Sequence, residues 1–218
     1  NSRHVTTIEE GLEAAGFTIV TRPWLEAYDR VRNQAHEDFI AGIRAEAAER
    51  GVPAITIGMG TVMLEPEYTI PLDVEAGTDP GTAVYILARS SGEGSDRTPE
   101  AGDLRLTDTE IRDILALNGR FERFLLVLNV GGVVDLSPLQ GVTNILLLSQ
   151  LGATIGDAFT DVLLGRAYPC GKLATTWAAW DGDDRIGDFG DPDDTHYREG
   201  VYVGYRFYDS VGKEPLFP

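Results

Sequence analysis

The 218-residue chain is predicted to be an α/β protein, a mostly parallel sheet with helices on both faces in a three-layer α/β/α sandwich. Three observations carry that expectation. Apolar runs such as "GTAVYILAR", "RFLLVLNVGG" and "TNILLLSQ" lack the polar alternation of a strand with one wet face, so they read as strands covered on both sides. Stretches with helical periodicity and their own start signals stand between such runs. Glycine-bearing loops follow several of the strands, where an open α/β sheet gathers its ligands.

The elements follow in order. In "TTIEEGLEAAGF", Thr6 precedes Glu9 and Thr7 precedes Glu10 at capping-box spacing, Ile8, Leu12 and Ala15 share one face, and Gly16 ends the helix. "FTIVT" predicts a short strand. Pro23 suits the first turn of a helix carrying Trp24, Leu25, Tyr28 and Val31, whose register continues to Gly51 with a break expected near Asn33. "PAITIGMG" is predicted as a buried strand and "GTAVYILAR" as the next. "LTDTEIRDILALNG" reads as a helix capped by Thr107 and Glu110 and stopped at Gly119. "RFLLVLNVGG", "TNILLLSQ" and "KLATTW" complete the strands, with the helix "TIGDAFTDVLLG" between the last two and Trp177 available to the core. Residues 64–79 read as a loop. So does the aspartate-rich stretch 181–194, which offers oxygen ligands without EF-hand spacing.

Length and composition fit one globular domain over residues 1–218, with 43% hydrophobic and 24% charged residues. With 35 acids against 18 bases the net charge is −17, which repels nucleic acid and anionic membrane and favours a neutral or cationic ligand. Cys170 stands alone, and His4, His36 and His196 lack cysteine partners at ligand spacing, so neither an internal disulfide nor a metal site is expected, nor any cofactor. No apolar run approaches the roughly 20 residues of a membrane helix. A start without Met and an end on Phe217 and Pro218 read as a piece of a longer protein, and nothing in the chain points to a compartment.

The loops after strands carry the chemistry. Neither G-x-G-x-x-G nor a phosphate loop is present, which disfavours a nucleotide-binding domain, and there is no G-x-S-x-G elbow. What stands out is "RSSGEGSDR": Glu93 lies between Gly92 and Gly94, glycines that permit close backbone approach to a ligand, with Asp96 and Arg97 beyond as an ion pair able to brace the loop. On spacing alone Glu93 is as readily a surface acid as a catalyst, and no partner carboxylate declares itself.

"ARSSGEGSDR" resembles the SGEG-x-DR motif of glycoside hydrolase family 3, in the α/β sandwich domain that follows the barrel in most members. "FLLVLNVGGVVDLSPL", "GDAFTDVLLGRAYPCGKLATTW", "YREGVYVGYRFYD" and "PLFP" are similar to further segments of that domain, in the same order, over about residues 83–218. Cys170 stands where the family has Ser, and Ala174 where it has Pro. The resemblance implies a retaining exo-glycosidase, most often a β-glucosidase, with Glu93 as acid/base and the nucleophile aspartate on a (β/α)8 barrel that these residues do not include. It implies a β-glucoside as substrate and the barrel as partner, with no nucleic acid or membrane. Ser91, Gly92 and Gly94 are expected to shape the loop, Asp96 and Arg97 to brace it, and Tyr68 to offer a stacking surface for the leaving group. The competing reading is a non-catalytic carbohydrate-binding or interaction module on the same fold, which has no need of an acid in that frame.

Overall fold

A computed structural model of the chain describes residues 4–59, 61–70, 81–89, 97–178, 193–194 and 199–217. Within them lie helices α1 (Ile8–Ala14), α2 (Arg22–Arg50), α3 (Ala54–Gly58), α4 (Asp108–Arg120), α5 (Ile155–Leu163) and α6 (Tyr205–Val211), and strands β1 (Thr82–Arg89), β2 (Arg123–Val130) and β3 (Ile145–Leu147).

The three strands form one parallel sheet in the order β1-β2-β3, with Thr82 opposite Arg123, Arg89 opposite Val130, and Leu126 opposite Ile145. Side chains alternate between the two faces of β2. Phe124, Leu126, Leu128 and Val130 join Ala83, Leu87 and, from α4, Ile114 in one core. Val127 packs the opposite face with Ile8 and Leu12 of α1 and Phe159 of α5. Helices thus cover both faces, as the unbroken apolar runs require, and the three-layer arrangement is present.

Both capping boxes form as their spacing predicts. The Thr7 hydroxyl accepts from the Glu10 amide while the Glu10 carboxylate accepts from the Thr7 amide, and Thr107 and Glu110 do the same at α4. Helices α1 and α5 meet at bare backbone. The Thr6 amide donates to the Ala153 carbonyl at 2.8 Å and the Gly156 amide to the Thr6 carbonyl at 3.0 Å. A β-carbon on Gly156 would lie 1.9 Å from the Thr7 carbonyl oxygen, and one on Gly11 would lie 2.4 Å from the Gly156 oxygen. Backbone atoms cannot swing aside as a side-chain tip does. Gly156→Ala is therefore expected to cost roughly 1–3 kcal/mol of stability, the usual cost of overpacking, read as a lowered denaturant midpoint. An unchanged midpoint would show that the two helices slide apart freely.

Four expectations are corrected. "PAITIG" is helix α3, not a strand: Gly51 closes α2 in the left-handed region, Pro53 caps the next turn, and Gly58 lies against Ile43 of α2. The chain is turned back onto α2 before it reaches the sheet, so Gly58 ends a helix and Met59 caps it, rather than both following a strand. "FTIVT" connects α1 to α2 without forming a strand, leaving Phe17 and Val20 exposed. "KLATTW" contributes only an antiparallel bridge between Trp177 and Phe217, although Trp177 itself is in the core. Helix α2 runs through Asn33 unbroken, with the Gln34 amide donating to Asp38 one turn on and no proline after Pro23 to interrupt it. Gly119 lies in the last turn of α4, which ends one residue later.

Candidate active site

The carboxyl ends of the strands lie together, because all run parallel, and β1 ends at Arg89. Arg89 closes an apolar strand and is 5% exposed. A buried guanidinium needs partners for its charge and its donors. It finds them on α4: Nη1 and Nη2 donate to the two carboxylate oxygens of Glu110 at 2.7 and 2.6 Å. Nη1 also donates to the Ala88 carbonyl at 2.8 Å, and Nε donates to the Asp103 carbonyl at 2.8 Å. Glu110 thus serves twice, capping its helix and neutralising the strand end.

Arg97 lies on the far side of the segment that begins after Arg89. Its ion pair is with Asp103, six residues on. The other Asp103 oxygen accepts from the Thr98 amide at 2.6 Å and the Thr98 hydroxyl at 3.1 Å. Residues 97–106 fold back on themselves to make this possible. The Leu104 amide donates to Thr98, Arg105 to Glu100, and Gly102, at φ +87°, to the Arg105 carbonyl. The Asp135 amide donates to the Leu104 carbonyl at 2.8 Å, tying this turn to the loop after β2. That loop also approaches Arg97 so closely that a β-carbon on Gly132 would lie 3.0 Å from Nη1.

Burial pushes the Asp103 carboxyl up, but the Thr98 amide and the Arg97 guanidinium together outweigh it and hold the group below the usual aspartate range. A carboxyl depressed in this way contributes stability above its unfolded pKa and loses it as pH falls through the folded value. The Arg97–Asp103 contact is accordingly intact at neutral pH and fails only in acid.

Tyr68 is half-buried against α2. Its ring lies 5.5 Å from that of Trp24 and 6.0 Å from that of Tyr28, while Trp24 and Tyr28 stack with planes 1° apart. The Trp24 indole donates to the Thr69 carbonyl at 2.9 Å, and the Tyr28 hydroxyl donates to Glu65 at 3.2 Å. Burial, followed by the Glu65 charge, pushes the Tyr28 hydroxyl up to about 12. Arg32 pairs with both Glu65 oxygens at 2.8 and 3.1 Å. The same strip reaches the strand end, where residues 62–65 face Ala88, Arg89, Gly102 and Asp103 across a cavity of about 20 Å³, room for one water-sized group.

Of the residues singled out from sequence, Arg97 and Tyr68 are placed as above. Ser91, Gly92, Glu93, Gly94 and Asp96 lie outside the described residues. Sequence reasoning missed Arg89, Asp103 and the second role of Glu110. One signal was available: an arginine ending an apolar strand has to be paired. Among the described residues no group of three His, Cys, Asp or Glu side chains is arranged to hold a metal ion.

Comparison with known proteins gives a consistent result. The family described as glycosyl hydrolase family 3 C-terminal domain matches residues 4–205. A β-glucosidase of Ruminococcus albus is 34% identical over 158 residues, covering 68% of this chain and 17% of the relative. An exo-α-(1→6)-L-arabinopyranosidase of Bifidobacterium breve (strain ACS-071-V-Sch8b) is 32% identical over 187 residues, covering 76% of this chain and 22% of the relative. Among solved structures, β-glucosidase 3B from Thermotoga neapolitana in complex with α-D-glucose superposes with a TM-score of 0.70 at 29% identity, over 99% of this chain and 30% of that one. The chain spans less than a third of the length of these proteins.

Proposed function

Because the chain belongs to glycosyl hydrolase family 3, as its C-terminal domain, we propose that it supplies the acid/base, Glu93, of a retaining exo-acting β-glycosidase that removes terminal β-D-glucosyl residues. The nucleophile aspartate is then on a barrel domain of a longer chain. The observation that carries the proposal is the segment "SSGEGSDR" in a chain of this family, where it follows the carboxyl end of a parallel strand, the edge at which open α/β sheets meet their ligands. The β-glucosidase names of relatives support glucose as the sugar.

A retaining mechanism needs two carboxyl groups about 5–5.5 Å apart. Glu93 would first protonate the leaving oxygen while the aspartate attacks the anomeric carbon, then deprotonate the water that releases the sugar. A carboxylate alongside favours the protonated form for the first step, because two adjacent negative charges repel. Drawing the two groups from two domains lets the glycosidic bond lie between them. In this arrangement Ser91, Gly92 and Gly94 shape the loop, Asp96 and Arg97 brace it, and Tyr68 offers a ring face to the leaving group. The domain by itself lacks a nucleophile and is expected to hydrolyse no aryl β-glucoside. Joined to its barrel it is expected to do so with retention of configuration, which proton NMR of the first-formed anomer checks. Hydrolysis by the lone domain, or inversion by the joined chain, would refute the proposal.

A further inference from the structure

We propose that the exposed apolar strip formed by Ile55, Met59, Val62 and Leu64 is the surface on which the nucleophile-bearing domain of the longer chain docks. The inference rests on the acid/base reading above, which requires such a domain.

The strip begins at α3. Ile55 and Met59 are one helical turn apart and 67% and 62% exposed, while the same helix buries Ile57 and sets Gly58 against Ile43 of α2. It continues after α3 with Val62, 38% exposed, and Leu64, 51% exposed. Single apolar side chains at a surface are ordinary, whereas a run of them marks a contact. No residue between Arg50 and Glu65 carries a charge. The strip is also fixed from within: the Thr61 hydroxyl donates to the Ile57 carbonyl at 3.3 Å, and Glu65 at its end accepts from Tyr28 and Arg32. A surface ordered beforehand loses little freedom on docking.

Position and charge choose the occupant. Val62 and Leu64 face Arg89, Gly102 and Asp103 at the carboxyl end of β1. Glu93 is four residues after Arg89, which by covalent geometry alone keeps it within about 14 Å of that end. A domain that brings a second carboxyl to about 5–5.5 Å from Glu93 has to settle on this edge, beside the strip. A second copy of the chain would set −17 against −17, and the repulsion opposes that pairing. A free partner is disfavoured by size, because stable complexes bury upwards of about 1,000 Å² in total and four side chains supply little of it. A covalently linked domain acts at an effective concentration in the mM range and needs far less surface. The relatives leave room for one, since this chain spans less than a third of their length.

The test places the photo-crosslinking residue benzoylphenylalanine at Met59, and separately at Ile55, in the full-length chain, with isotope-labelled and unlabelled copies mixed before irradiation. Mass spectrometry is expected to find cross-links within one copy, from both positions, to peptides outside residues 1–218. Cross-links confined to residues 1–218, cross-links joining a labelled to an unlabelled copy, or none at all would overturn the inference. The double variant Ile55→Asp with Met59→Asp supplies a second reading. Charge on the strip unseats the domain and separates the two carboxyl groups, so kcat/KM is expected to fall roughly tenfold on poor and activated β-glucosides alike. Wild-type kcat/KM in that variant counts against the docking surface. Glu93→Ala is run in parallel. If Glu93→Ala keeps full activity, the acid/base reading falls and this inference with it; if Glu93→Ala loses activity and the cross-links stay within residues 1–218, only the docking surface falls.

Discussion

Glu93→Ala, in the domain joined to its barrel, is expected to lose on the order of 10²–10⁴-fold in kcat on a β-glucoside with a poor leaving group, the usual contribution of a positioned general acid. The loss should shrink as the leaving group improves. An alkoxide expelled without a proton carries a full negative charge, so bond breaking in the first step feels the missing acid most. A dinitrophenolate leaves unaided, and its first step should stay close to wild type. The second step, attack of water on the glycosyl-enzyme, then becomes limiting because no base activates the water. Both kcat and KM should therefore fall on activated substrates as the intermediate accumulates, with an initial burst of phenolate. A Brønsted plot of log(kcat/KM) against leaving-group pKa, steep for the variant and shallow for the wild type, is the measurement. Parallel lines would mean that Glu93 does not deliver the proton.

The largest loss of stability is expected at the strand end. Glu110→Ala removes both carboxylate acceptors of the 5%-exposed Arg89, leaving it only the Ala88 and Asp103 carbonyls, and one half of the α4 capping box. Breaking a buried ion pair from one side strands the other charge, which costs roughly 3–5 kcal/mol. Glu110→Gln keeps the side-chain length and an acceptor for the Thr107 amide, so it should cost distinctly less. The pairing also separates charge from capping. Thr107→Ala removes the hydroxyl half of the same box and should cost only about 1 kcal/mol. Denaturant unfolding of the three variants gives the order directly, and a Glu110→Ala loss no greater than that of Thr107→Ala would show that Arg89 is rehydrated or re-paired at little cost.

The strands β1, β2 and β3 were legible because burial on both faces leaves a signature in composition, and α1 and α4 because Thr7, Glu10, Thr107 and Glu110 satisfy backbone groups at fixed spacing. The run at residues 53–58 was misread for a physical reason. A short β-branched stretch carries no period that separates strand from helix, and what decides is tertiary: the cap at Gly51 turns it onto α2. "FTIVT" failed similarly, since its apolar residues bridge two helices whose join is held by Arg22 pairing with Glu9 and Glu13. At the site, the glycines around Glu93 marked it as unusual and the family resemblance gave it a role. Arg97 is expected to brace the loop with Asp96, which lies outside the described residues; among those described, Arg97 pairs with Asp103. A fold-back turn brings that residue to it, and no spacing rule shows such a turn. Glu110 was read as a cap and its second bond overlooked, because the partner, Arg89, comes from a strand 21 residues earlier.

Azide offered to the Glu93→Ala enzyme gives the most direct test of the central claim. Azide needs no general base, and it fits the space a removed acid/base side chain leaves on the leaving-group face. If Glu93 is the acid/base, azide attacks the glycosyl-enzyme from that face, activity on an activated β-glucoside is restored, and NMR identifies the product as the β-glucosyl azide with configuration retained. If the product is the α-azide, Glu93 was the nucleophile. If azide neither restores turnover nor enters the product, Glu93 is not part of the reaction at all.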